Sequence, residues 1–168
     1  EELKDITLKR AFIARPGWKI VNADQSQLEL RVAGAVSQEP GFINSYKHKI
    51  DMHSLNAKVS FNMSFPEQEK EWREQAKQAG LQEGTEDFDN FILLHECKYI
   101  KGHYHAERNA AKTVSFGVLY GMSEYGLARD LHNKNRTAAH QWTTDECKDF
   151  IDRFMHKFSK LAAWQAKQ

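Results

Sequence analysis

Cysteine is scarce. Cys97 and Cys147 are the only two and lie far apart, which leaves no disulfide framework and no CxxC pair, and makes a reducing compartment the default. No apolar run is long enough to span a membrane and no secretory-type leader is visible, so the expectation is a chain with no membrane partner. Excess charge is lacking too. With 24 Lys and Arg against 23 Asp and Glu, the net charge is +1, so overall charge gives no argument for a polyanionic partner.

What is present reads as one folded domain. The 168 residues are 40% hydrophobic and 28% charged, enough apolar side chain for a core and unlike a disordered chain. The charge is unevenly placed. Residues 65–96 hold nine acids and three bases, whereas residues 97–136 hold seven bases and three acids. An electrostatic footprint for phosphates belongs in the basic block, and the acidic block argues against nucleic-acid contact over most of its length.

Inside the basic block runs Arg108-Asn-Ala-Ala-Lys-Thr-Val-Ser-Phe-Gly-Val-Leu-Tyr-Gly121. Arg108, Lys112, Phe116 and Tyr120 recur every fourth residue and so form one row on a helix. Ala111, Val114 and Val118 give the same helix a separate apolar face. Two cations followed by two aromatics suit a phosphorylated ligand with a flat base: the cations hold phosphate oxygens and the rings pack on sugar or base. The spacing alone also fits an amphipathic core helix with two snorkelling cations.

Near the start, Arg15-Pro16-Gly17 signals a turn and Trp18–Ala23 reads as a short strand. Leu28, Val32, Ala35 and Val36 then carry the period of a helix from about Gln27 to Val36, with Ser26 as its N-cap. Asp24 falls where strand gives way to helix. A carboxylate there can bind Mg²⁺, which prefers carboxylate and phosphate oxygens, although Asp is also a routine turn residue.

The remaining chain reads as helices. Pro40-Gly41 marks a loop, Phe42–Ile50 has helical spacing, and Pro66 opens a helix that reaches Ala79 with Gly80 closing it. Phe88, Phe91, Ile92 and Leu94 suggest another short helix. Ser123 caps a helix over residues 124–131, and Thr144 caps a last long one that keeps its period through Cys147, Phe150, Ile151, Phe154, Phe158 and Leu161. His95, Cys97, His103 and His105 are metal-capable but match no standard zinc spacing, and a loop rich in His by chance is the alternative.

Two of these stretches share one resemblance. Arg108-x-x-x-Lys-x-x-x-Phe-Gly-x-x-Tyr-Gly121 resembles the nucleotide-binding helix of the fingers in family A DNA polymerases, the bacterial polymerase I type. Asp24-Gln-Ser-Gln-Leu-Glu-Leu-Arg31 resembles their first palm motif, with Gln25 in a place that usually holds an aromatic residue. The resemblance implies a DNA-directed DNA polymerase that joins a deoxynucleotide to a primer 3′-hydroxyl, using two Mg²⁺ ions. It implies that Asp24 binds catalytic metal and that Arg108, Lys112 and the His53 of Asp51-Met-His53 hold the dNTP triphosphate. Phe116 would pack on the sugar and disfavour dideoxynucleotides. Glu29 would lie against the sugar, and Gln27 near the nucleotide or primer–template. Tyr120 and Gly121 would border the templating base, Tyr125 and Arg129 the template strand, and Arg31 would be structural or close to DNA. The helix would swing to close on a correct pair.

The expected architecture is mainly α with a small β part: a partial palm over residues 1–40 and helical fingers over 41–168, with a family-variable helical insertion at about 65–104. A second catalytic Asp, in a His-Asp-Glu sequence, belongs to such a palm and does not occur here. The expectation is therefore a fragment whose partners are primer–template DNA, dNTP and the rest of the palm and thumb. As given it would not catalyse alone, and the alternative is an isolated nucleotide- or DNA-binding module. The long middle segment favours a phage source, and the expected setting is bacterial or phage-infected cytoplasm.

Overall fold

The computed structural model describes residues 11–134 and 142–167. Nine helices follow one another among them, beginning with α1 (Leu28–Ser37), α2 (Pro40–Lys47) and α3 (Met52–Ser60). Next come α4 (Pro66–Gln78), α5 (Glu86–His103) and α6 (His105–Leu119). The last three are α7 (Glu124–Lys134), α8 (Thr144–Lys157) and α9 (Ser159–Gln165).

The strand expected over Trp18–Ala23 does not form, and no strand occurs among the described residues. A strand needs a neighbour to take its N–H and C=O groups, and residues 12–27 run as irregular chain without one among the described residues. Phe12, Ile13, Trp18, Ile20 and Val21 are 60–88% exposed there. The α+β expectation is thus corrected to a mainly helical fold.

Helix starts and stops follow local chemistry. Gln27, not Ser26, is the residue before α1, and its left-handed φ of 58° stops it from joining the helix. The loop expected at Pro40-Gly41 is instead the first turn of α2, because Glu39 caps it from Oε1 and Pro40 needs no hydrogen-bond partner there. The same Glu39 carboxylate accepts the Lys160 and Leu161 amides at the start of α9. Pro66 opens α4 as expected, and Gly80 follows it at φ 80°. Thr143 and Glu146 form a reciprocal capping box on α8. Phe158, at φ −113° and ψ 62°, then splits the expected last helix into α8 and α9.

Helix α3 is the centre of the fold. Met52, His53, Ser54, Leu55, Asn56, Ala57 and Ser60 are all buried, so every face of this helix is covered. On one side lies a core of Leu30, Phe42, Met52, Val114, Phe154, Phe158 and Leu161, which joins α1, α2, α3, α6, α8 and α9. Phe42, Phe154 and Phe158 meet edge to face within it, with centroids 4.7–6.4 Å apart. On the other side, Phe65, Trp72, Phe88, Ile92, Ile100 and Ala111 tie α4 and α5 to α3 and α6. Asn56 donates to Ser115 Oγ at 2.6 Å, pinning α3 against α6, and Lys58 pairs with the buried Glu96 of α5. No described helix is long and apolar enough to cross a membrane.

Candidate functional site

Helix α6 is oriented by its apolar face. Ala111, Val114 and Val118 are 0–3% exposed, so the row one step round the helix is turned outward. Lys112 and Tyr120 are exposed, Phe116 and Arg108 half-buried. Lys112, Phe116 and Tyr120 open onto a cleft of about 430 Å³, with Asn109, Thr113 and Gly117 on α6 and Met122, Asp130 and Leu131 beyond it.

The two glycines of the Phe-Gly-x-x-Tyr-Gly run have separate structural reasons. A Cβ on Gly117 would stand 3.2 Å from Met122 Sδ and 3.4 Å from its Cβ, so glycine lets the return chain pack close. Gly121 takes φ 70° and closes α6: its amide reaches Val118 O at 3.1 Å and the Met122 amide reaches Gly117 O at 2.8 Å, the paired bonds of a Schellman stop. Gln165 of α9 donates to Val118 O at 2.7 Å as well. Tyr120 is thereby set on the last turn, 74% exposed, at the mouth of the cleft.

Behind this row sits His53, 5% exposed, with its ring 5.9 Å from that of Phe116. Burial pushes its pKa down to about 4; the Arg108 and Lys112 charges push the same way and Asp51 opposes them. The imidazole is therefore neutral at pH 7, and its buried Nδ1 has no hydrogen-bond partner among the described residues. A buried ring nitrogen beside two cations is a place where an anionic acceptor would be matched.

Arg108 does not stand free. Its Nε and Nη2 donate to the two oxygens of Asp51 at 2.8 and 3.1 Å. Asp51 also caps α3 through the Ser54 amide and accepts Gln27 Nε2 at 3.0 Å. Burial alone would raise the Asp51 pKa, but the bonds from Arg108 and Ser54 outweigh it and hold the group well below the ordinary carboxylate range. Tyr46 donates to Gln27 Oε1 at 3.4 Å, and the Arg31 guanidinium lies 4.2 Å over the Tyr46 ring. Sequence reasoning missed Asp51 and Tyr46 as site members. The signal for Asp51 was its place before α3, since an N-cap carboxylate has a fixed direction.

Among the described residues, Asp24, Glu29, Tyr125 and Arg129 make no hydrogen bond or ion pair to this knot. Asp24 and Glu29 are exposed, Asp24 on irregular chain and Glu29 in the first turn of α1. Gln27 is three residues from Asp24, so the Asp24 Cα is within about 11 Å of the Gln27 Cα. Among the described residues Asp24 makes no ion pair or hydrogen bond, and no group of three or more His, Cys, Asp or Glu is placed to hold a metal. Tyr125 and Arg129 are exposed on α7. Of the His/Cys cluster, Cys97 is core, its thiol pushed up to about 12 by burial, while His95 bonds the Phe91 carbonyl and His103 that of Tyr99.

The chain is similar to known proteins over most of its length. The family model for "DNA polymerase family A" matches residues 1–81 and 96–168. The thermostable DNA polymerase I of Thermus aquaticus is 29% identical over 160 residues, which is 95% of this chain and 14% of that protein. DNA polymerase I of Caldicellulosiruptor bescii is 25% identical over 92% of this chain and 13% of its own length. That of Chloroflexus aurantiacus is 32% identical over 74% of this chain and 9% of its own length. The chain thus spans about one-seventh or less of these relatives. The match takes in both the segment of Asp24 and the helix of Arg108 and Tyr120, and the chain belongs to DNA polymerase family A.

Proposed function

We propose that this chain is the nucleotide-selecting part of a DNA-directed DNA polymerase, which transfers a deoxynucleotide to a primer 3′-hydroxyl and releases pyrophosphate. The observation that carries the reading is the outward row on α6: Lys112, Phe116 and Tyr120 line one cleft, and behind Phe116 lies a His53 nitrogen with no partner among the described residues. Lys112, Arg108 and His53 hold the triphosphate, where negative charge builds on the leaving group. Phe116 packs on the sugar. Tyr120 and Gly121 border the templating base, and Tyr125 and Arg129 face the template strand. Glu29 and Gln27 lie on the sugar and minor-groove side, with Arg31 supporting Tyr46. Closure of α6 over a correct pair completes the site.

Asp24 fits one part of a Mg²⁺ site. It offers a single exposed carboxylate, and Mg²⁺ is ordinarily held by one or two carboxylates together with substrate phosphates and water. Two such ions, when bound, would neutralise phosphate oxygens; a second carboxylate comes from the rest of the palm. The exposed apolar side chains of α1, Leu28, Val32 and Val36, support docking of that palm. Primer–template DNA, dNTP and the remaining palm and thumb are the partners, in bacterial or phage-infected cytoplasm.

A second reading is a nucleotide- and DNA-binding module that does not catalyse alone, and the exposed, irregular setting of Asp24 favours it. Both readings are tested by primer extension with the 168 residues. Salt-sensitive primer–template and dNTP binding without extension is expected; template-dependent extension would overturn the module reading, and absence of any binding would overturn both.

A further inference from the structure

Asp51 is the most heavily bonded side chain at the site, yet none of the roles above uses it. Five hydrogen bonds converge on its carboxylate. Oδ2 accepts Arg108 Nε, the Ser54 amide and Ser54 Oγ; Oδ1 accepts Arg108 Nη2 and Gln27 Nε2. The donors come from the turn before α1, from α3 itself and from the first turn of α6. Both partners of the ion pair are about one-fifth exposed, so the pair is shielded without being sealed.

The geometry uses one edge of Arg108 only. A guanidinium is planar and offers five N–H groups. Asp51 takes Nε–H and one Nη2–H, and among the described residues Nη1 has no partner. Fixing one edge of a rigid plane fixes the direction of the other, and removes rotamer freedom that a ligand would otherwise have to freeze. The anchor is itself fastened, since the Ser54 bonds tie it to the start of α3, where Met52 to Ala57 are all buried.

We infer that Asp51 is a positioning residue that holds the inner edge of Arg108 so that the outer edge is aimed at the phosphates of the bound nucleotide, and that it ties this aim to the Gln27 turn. The inference rests on the nucleotide-binding reading given above. Asp51 touches no ligand; it acts through Arg108.

Asp51→Asn separates this role from helix capping, because Asn caps as well as Asp but supplies one acceptor and no charge. The experiment is a double-mutant cycle on the 168-residue chain, with Asp51→Asn in the native and Arg108→Ala backgrounds. Binding of 2′-deoxyadenosine triphosphate is titrated in each, and the Arg Nε–H resonances are followed without ligand. In the native background Asp51→Asn is expected to weaken binding about tenfold, and in Arg108→Ala by no more than about twofold. The protected Arg108 Nε–H signal of the free protein is expected to be lost in Asp51→Asn, while its helix content and cooperative melting remain. Equal loss of affinity in both backgrounds would overturn the inference, as would tighter binding by Asp51→Asn, which would make the carboxylate a mask. If the unaltered chain binds no triphosphate, the nucleotide-binding reading fails first and this inference with it. Binding by the unaltered chain without the cycle's coupling defeats the positioning role alone.

Discussion

Residues 12–27 and helix α6 carry the two halves of one sequence signature in opposite physical states. Around α6, Ala111, Val114 and Val118 are buried, the C-terminus is closed by a Schellman stop, and Arg108 is clasped by Asp51. Around Asp24 the chain is irregular, and Val21 is 88% exposed. The row proposed to face the nucleotide is thus positioned by packing that the chain itself supplies. The carboxylate proposed for metal binding is held, among the described residues, by its tether to Gln27 alone. The difference teaches that the two halves of the proposed site need not be stabilised by the same segment.

One substitution made in both regions gives the widest contrast. Val114→Asp would bury an unpaired charge at a fully enclosed position, and a loss above about 4 kcal/mol is expected by urea unfolding. Val21→Asp should change stability by no more than about 0.5 kcal/mol, because its side chain is already in water. Similar losses at the two positions would erase the contrast.

Acid should act on the α6 side next. His53 has its folded pKa depressed from 6.5 to about 4. The unfolded chain therefore binds more protons between those values, and stability falls as pH drops through that window, by on the order of 3 kcal/mol. Asp51 works with the same sign at lower pH: its depressed carboxylate stabilises the fold above its unfolded value and that contribution goes as pH falls toward its folded one. Unfolding followed from pH 7 to pH 4.5 should show the His53 slope, and His53→Gln should flatten it. An unchanged slope would mean the imidazole is not buried neutral. The smallest effect is expected at Asp24→Asn, within about 0.5 kcal/mol, measured the same way.

Which features were legible in the sequence follows the same division. The α6 row and its buried face could be read because a four-residue spacing has one meaning on a helix, and the structure places both as expected. The stop at Gly80 was legible as a glycine, since a left-handed φ suits that residue best. The strand at Trp18–Ala23 was misread because strand-forming residues such as Trp18, Ile20 and Val21 describe a surface, not the neighbour a strand must have. The break at Phe158 was hidden because Phe158 and Leu161 keep the helical phase across it and both remain fully buried. The Asp51–Arg108 pair spans 57 positions, and no local pattern announces a contact at that range.

The central claim is that the outward row of α6 holds a triphosphate, and it is tested most directly by titrating a deoxynucleoside triphosphate into the 168-residue chain and its Lys112→Ala form at two salt concentrations. Loss of a charged hydrogen bond, about 1.5–3 kcal/mol, corresponds to roughly 10- to 100-fold weaker binding by Lys112→Ala, with a shallower salt dependence. Equal affinity of the two forms, or binding indifferent to salt, would contradict it.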